Sequence, residues 1–202
     1  MDELNSSTEQ KIFDAAEAVF IKNGMEGARM KEIADIAGIN KALLHYYYRN
    51  KEQLFMAVFQ NAVDQFIPNI YNLLISELSL FDKIRAFLEQ YGKILMKKQF
   101  LPLFILHEIN RKPDKLVHTI TSKGIQPQML INQINEEVRA GSIKPIEPRQ
   151  LIVNLLSLCI FPIAGRPMFQ RILFDNDADA YESFLHERMH STADFIINAI
   201  KK

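Results

Sequence analysis

The sequence predicts an all-α fold: a small N-terminal helix-turn-helix bundle of three helices followed by a larger helical region. Three observations carry this. Apolar residues recur at helical spacing along most of the 202-residue chain. Gly and Pro number only 7 and 8, too few for an all-β chain that turns about every 8–12 residues. Hydrophobic residues are 48% and charged residues 24%, close to a folded globular average and unlike a disordered chain.

Charge narrows the function classes. Lys+Arg and Asp+Glu are 24 each, a net charge of zero, so any nucleic-acid site must be a local patch. A single cysteine, Cys159, excludes an intrachain disulfide and a multi-cysteine metal site. The start MDELNSSTEQ is acidic and polar, unlike a secretory signal. The longest apolar stretch, Leu151 to Gly165, is broken by Asn154, Ser157 and Pro162 and falls short of the roughly 18–20 residues of a membrane span. The expectation is a soluble, cytoplasmic chain with no membrane partner.

The elements follow in order. Ile12, Ala15, Ala16, Val19 and Phe20 form one face of a first helix. Ser7 with Gln10 reads as a capping box, placing its start near Thr8, and Asn23-Gly24 as its end. A second helix spans about 30–37, with Ile33, Ile36 and Ala37 inward and Gly38 as its stop. A third runs about 41–47 with Asn40 as N-cap. A fourth opens at Asn50, carries Leu54, Phe55, Val58, Phe59, Ala62, Val63 and Phe66 inward, and ends at Pro68. Further helices are expected at about 69–78, 81–98, 100–111, 114–140, 148–164 and 177–200, with breaks at Pro- and Gly-bearing stretches and at Asp175-Asn176-Asp177.

Residues 30–48 place two short helices around Gly38-Ile39-Asn40, the spacing of a helix-turn-helix. In that motif the second helix meets base edges in the major groove. Here it carries His45, Tyr46, Tyr47 and Tyr48 in succession, which cannot all face a core. Leu44 and Tyr48, four apart, are the expected inward pair, leaving His45, Tyr46 and Tyr47 outward. Tyrosine hydroxyls donate to phosphate oxygens and set register. From Lys22 to Lys51, six basic residues face three acidic ones, a local excess of +3 in a neutral chain. The bland alternative is a small helical bundle with solvated lysines.

The run from Ile33 to Leu54, IADIAGINKALLHYYYRNKEQL, resembles the DNA-binding segment of TetR-family transcriptional regulators, and the likeness extends over about residues 8–60. Beyond residue 60 it is architectural. The resemblance implies a DNA-binding domain at 1–52 and a ligand-binding and dimerisation domain at 53–202. It implies that Lys41, Ala42, Leu43 and His45 approach bases, that Tyr46 and Tyr47 contact phosphate or base edges, and that Lys51 meets backbone phosphate at a helix N-terminus. Arg29, Lys31 and Asn40 complete the candidate DNA-binding set. Three positions depart from the family pattern: Leu43 replaces a small hydroxyl residue, His45 an aromatic, and Ala28-Arg29 a threonine cap.

The implied partners are double-stranded DNA, a small apolar effector and a second copy of the chain. The candidate pocket residues are Phe66, Tyr71, Phe104, His107, Asn154 and Phe161. The candidate dimer residues are Leu151, Leu155, Leu158, Phe184, Phe195 and Ile196. No cofactor, catalytic residue or resident metal is expected. One motif competes: His186-Glu187-Arg188-Met189-His190 is a literal H-E-x-x-H, with both imidazoles on one helix face. A zinc-dependent hydrolase would need a third ligand. Asp194 continues the stripe, whereas Ile196 stands where an extended motif needs histidine. A helical adaptor that binds protein is the other alternative. Cys159 reads as a buried structural thiol.

Overall fold

The computed structural model describes the backbone of residues 2–111 and 113–202, and all side chains except those of residues 1–6, 100, 103, 107 and 112. The described chain is helical, with one isolated antiparallel bridge between Ile143 and Lys201. It divides into two compact units, Met1–Asp64 and Gln65–Lys202. The boundary expected at 52/53 falls inside a helix instead, because the first turns of that helix carry core side chains of the N-terminal unit.

The N-terminal unit holds α1 (Asp2–Gly27), α2 (Met30–Ala37), α3 (Lys41–Tyr47) and the first part of α4 (Lys51–Ile75). The α1 stripe is buried as the spacing predicts: Ile12 and Ala16 are fully enclosed, and Phe20 meets Phe55 edge-on at 4.8 Å. Each such burial contributes about 1.5–3 kcal/mol. The helix does not start near Thr8 but runs back to Asp2, and Gln10 bonds Asp14 Oδ1 instead of closing a capping box. Acidic residues at a helix N-terminus favour this extension. Gly24 interrupts α1 with φ 66°, after which one further turn reaches Gly27.

The end of α2 is a left-handed glycine stop. Gly38 has φ 68°, and the N–H groups of Gly38 and Ile39 close on the carbonyls of Asp35 and Ala34. Its buried residues are Ile33, Ala34 and Ala37, while Ile36 is 56% exposed. The expectation that Ile36 faces inward is thus corrected. The buried arc centres between Ile33 and Ala34, and a residue three positions after Ile33 falls outside it.

In the C-terminal unit, α5 (Leu80–Lys97) packs on α9 (Pro148–Ala164) and α11 (Ala178–Ile200). The face of α5 bearing Leu80, Ile84, Leu88, Tyr91, Gly92 and Leu95 is buried. Around this centre lie α6 (Phe100–Arg111), α7 (Pro113–Thr121), α8 (Pro127–Ala140) and α10 (Arg166–Leu173). The Tyr181 side chain is fully buried and donates to the Pro162 carbonyl at 2.7 Å, tying α11 to α9.

Three expected boundaries change. Pro68 does not end α4, which continues to Ile75; a helix that is packed on its apolar face survives the loss of one N–H. The expected single helix 114–140 is two, because Gly124 turns with φ 86° and Pro127 restarts the chain as α8. At Gly124 a β-carbon would sit 3.1 Å from the Tyr71 ring, a tight contact added to the left-handed backbone that already favours glycine. Helix α10 was not expected; it follows Gly165 directly and buries none of its residues.

Candidate nucleic-acid interface

The α2–turn–α3 segment is built from few anchors. The Asn40 side chain accepts from Leu43 N–H at 2.7 Å and so caps α3, as its position predicts. Within α3 only Leu44 is buried. Tyr48, one helical turn on, is 9% exposed and packs on Phe13 at 6.0 Å. The Leu44–Tyr48 inward pair read from the sequence is therefore present. Tyr46 is 83% exposed and meets Tyr47 edge-on at 5.8 Å, while Tyr47 stacks along Tyr48 at 6.4 Å.

Among the other candidates, Arg29, Lys31, Asn40, Lys41, Ala42, Leu43 and His45 are solvent-exposed, and Tyr47 and Lys51 are half-buried. Arg29 precedes α2 in an extended conformation with no capping bond from its side chain. The His45 Nδ1 lies 3.2 Å from the Arg49 carbonyl. A carbonyl only accepts, so this nitrogen is the donor of the pair. The start of α4 is capped by Asn50, whose side chain accepts from Gln53 N–H at 2.8 Å, while the Gln53 side chain accepts from Arg49 N–H at 3.1 Å. The Lys51 ammonium stands at this N-terminus and donates to the Glu26 carbonyl at 2.9 Å.

Two contacts here were not legible in the sequence. The Tyr48 hydroxyl donates to Glu9 on α1 at 2.6 Å, and burial, then Glu9 itself, push its ionisation upward, so it stays a donor. The Glu32 carboxylate accepts from Asn23 at 2.8 Å and pairs with Lys22 at 3.8 Å, drawing one acidic charge toward the end of α1. The partners are 39 and 9 residues apart, beyond any local spacing rule.

The expected pocket set is not brought together. Phe66 is buried against Tyr91 at 6.1 Å and Phe104 is buried, but Asn154 and Phe161 are exposed on α9. Tyr71 stands beside Gly124, and the His107 side chain lies outside the described residues. Phe161 lines a groove of about 210 Å³ with Phe169, Leu173, Phe184 and Arg188, none of them in that set. The reason is phase: α9 turns Leu151, Leu155 and Cys159 inward, which points Asn154 and Phe161 outward.

The same phase corrects the dimer set. Leu151, Leu155 and Ile196 are buried in the chain's own core, while Leu158 and Phe184 are partly exposed and Phe195 is 67% exposed. On α9 and α10 the large apolar residues left exposed are Val153, Leu156, Phe161, Met168, Ile172 and Leu173; Leu106, Ile109 and Val117 on α6 and α7 are exposed as well. Cys159 is fully buried, as expected.

The H-E-x-x-H motif lies on an exposed part of α11. His186, Glu187 and His190 line an open groove of about 250 Å³ with Glu89, Lys93, Met96 and Met189. Glu89 is held by Lys93 at 2.7 Å, which keeps its carboxyl below the usual range. Asp194, the candidate third ligand, bonds Arg85 at 2.6 Å instead. Among the described residues no group of three or more His, Cys, Asp or Glu side chains is placed to hold a metal ion, nor is any single helix long and apolar enough to cross a membrane.

Comparison with known proteins adds to this geometry. The pattern of bacterial regulatory proteins of the tetR family matches residues 12–58. The HTH-type transcriptional regulator RutR of Escherichia coli O157:H7 is 24% identical over 163 residues, 73% of this chain and 69% of that protein. The structure of the regulator FadR from Bacillus subtilis, solved with stearoyl-CoA, aligns at TM-score 0.65 and 19% identity over 93% of this chain and 97% of that one. AibR, solved with isovaleryl coenzyme A and operator DNA, aligns at TM-score 0.64 and 21% identity over 77% and 85% of the two chains. The matched pattern covers the whole of α2 and α3, and the helical fold around it is shared with these structures; together with the relatives of that name, these findings support a tetR-family transcriptional regulator.

Proposed function

We propose that the chain is a homodimeric repressor that holds a near-palindromic operator through α2 and α3 and releases it when a small, largely apolar effector binds. In this reading the N-terminal unit, Met1–Asp64, binds DNA and the C-terminal unit, Gln65–Lys202, binds effector and partner. The observation that carries it is the row of side chains that α3 turns outward. Leu44 and Tyr48 are turned inward, leaving His45, Tyr46 and Tyr47 with Lys41 and Lys51 for a duplex. The tyrosines and Lys51 would meet phosphates, which supply affinity and register. Lys41, Ala42, Leu43 and His45 would meet base edges, where Leu43 offers an apolar contact to a thymine methyl.

The dimer reading is supported by the apolar surface of α9 and α10, on which Phe161, Ile172 and Leu173 are 59, 69 and 65% exposed. A monomer that leaves such a patch in water is unusual. The two regulators solved with acyl-CoA thioesters support an effector that carries an apolar acyl group. An effector acts only by binding the released state better than the DNA-bound one.

The test is selection of duplexes from a random-sequence pool, repeated with stearoyl-CoA. The expected product is a paired half-site motif with centres about one helical turn, ~34–36 Å, apart, and its retention falls when the thioester is added. Tyr47→Ala and Lys51→Ala are expected to weaken binding to every duplex, and Lys51→Ala, which removes a cation, to lower the salt slope by about one. Enrichment of no duplex at low salt would refute the reading.

A further inference from the structure

A seven-residue helix has no stability of its own in water, so the placement of α3 depends on what holds its two ends. At the front the Asn40 cap closes on Leu43 N–H. At the back, Tyr48 N–H bonds the Leu44 carbonyl at 2.8 Å, and the Tyr48 hydroxyl reaches the Glu9 carboxylate at 2.6 Å. The ring of Tyr48 lies between Phe13 and Tyr47, tilted 39° to the first and near-parallel, at 29°, to the second. Tyr47 in turn supports Tyr46 edge-on. A continuous line of contacts therefore runs from α1 through Tyr48 to the exposed tyrosines.

We propose that Glu9 and the Tyr48 hydroxyl form a positioning pair that fixes the C-terminal end of α3 on α1 and so sets where Tyr47 and Tyr46 stand. A phenylalanine at position 48 would fill the same apolar space against Phe13, so packing alone does not call for the hydroxyl. The hydroxyl adds direction: a short bond to an ionised acceptor fixes the ring's rotation as well as its depth. Neither residue touches DNA in this assignment. The inference rests on the reading that α3 binds a duplex.

The experiment compares wild type with Tyr48→Phe, Glu9→Ala, Glu9→Gln and the double variant Tyr48→Phe/Glu9→Ala. The probe is a fluorescent duplex that the wild-type chain enriches from a random pool, titrated at three salt concentrations. Tyr48→Phe and Glu9→Ala are each expected to weaken binding roughly tenfold, the scale of a hydrogen bond to a charged group. The double variant is expected to be no weaker than either single one, because both remove the same bond. Glu9→Gln, whose amide oxygen still accepts from the hydroxyl, is expected to stay within about threefold of wild type. The salt slope is expected to be unchanged in all four, because no phosphate contact is removed. Amide exchange on the free chain gives a reading without DNA: the Tyr48 N–H should exchange faster in Tyr48→Phe and Glu9→Ala and not in Glu9→Gln.

Wild-type binding with an unaltered Tyr48→Phe affinity would overturn the pair and leave the DNA reading intact. A Tyr48→Phe loss that Glu9→Ala does not share would also overturn it, by showing the hydroxyl acting on a group other than Glu9. Additive losses in the double variant would overturn it as well. A wild-type chain that enriches no duplex would overturn the DNA reading and this inference together.

Discussion

At Gly92 the Met189 side chain of α11 lies against the backbone of α5. A β-carbon built there would lie 2.6 Å from Met189 Cγ and closer still to its sulfur. Carbon contacts ordinarily settle at about 3.5–4.0 Å, so the Gly92→Ala methyl needs on the order of 1 Å of room. Met189 can yield little, for it is 3% exposed and its Sδ is 3.9 Å from Cys159 Sγ. Overpacking of this kind costs about 1–3 kcal/mol, while alanine gains about 1 kcal/mol over glycine inside a helix. The net for Gly92→Ala is a loss of about 0–2 kcal/mol. The sharper prediction is the coupling. Met189→Ala alone opens a cavity that costs about 2–5 kcal/mol. In the double variant the new methyl enters that space, so the pair should be about 1–3 kcal/mol more stable than the sum of the single losses. Urea unfolding followed by far-ultraviolet ellipticity at one fixed protomer concentration measures all four proteins. Additivity within about 0.5 kcal/mol would refute the close approach, as would a Gly92→Ala protein stabilised by the full propensity gain.

Phe161→Asp and Ile172→Asp are expected to shift the chain toward monomer in sedimentation while leaving it folded, whereas Leu155→Asp, which buries a charge in the core, should unfold it. Burial pushes the Cys159 thiol up to about 12 and also raises Tyr48, Tyr91 and Tyr181. A raised folded value means stability that is complete below the unfolded values, about 8.5 for thiol and 10 for phenol, and lost as pH climbs past them. The urea midpoint should therefore hold to about pH 8.5 and fall above it, and a thiol reagent should find Cys159 only after unfolding. His186→Ala should leave duplex affinity unchanged; a zinc-dependent peptidase activity that disappears in that variant would contradict a non-enzymatic role.

The sequence alone determined the elements whose signals are local. Asn40 caps α3 and Gly38 stops α2 because a side chain three residues from a free N–H, or a missing β-carbon at positive φ, decides the backbone without reference to the rest of the chain. The alternation that turns Leu44 and Tyr48 inward and Tyr46 outward is equally local, fixed by the helical period. What the sequence could not settle was which of two apolar faces meets the core. Helix α9 is apolar nearly all round, so periodicity leaves its phase open, and only packing on α5 and α11 turned Leu151 and Leu155 inward and left Phe161 outside. Pairs distant in the chain were likewise decided by the tertiary structure. Glu9 reaches Tyr48, and Asp194 reaches Arg85 rather than the His186–His190 stripe. A hydrogen bond between residues far apart in sequence depends on where whole helices dock, and docking is set by the summed fit of many side chains, which no short motif encodes.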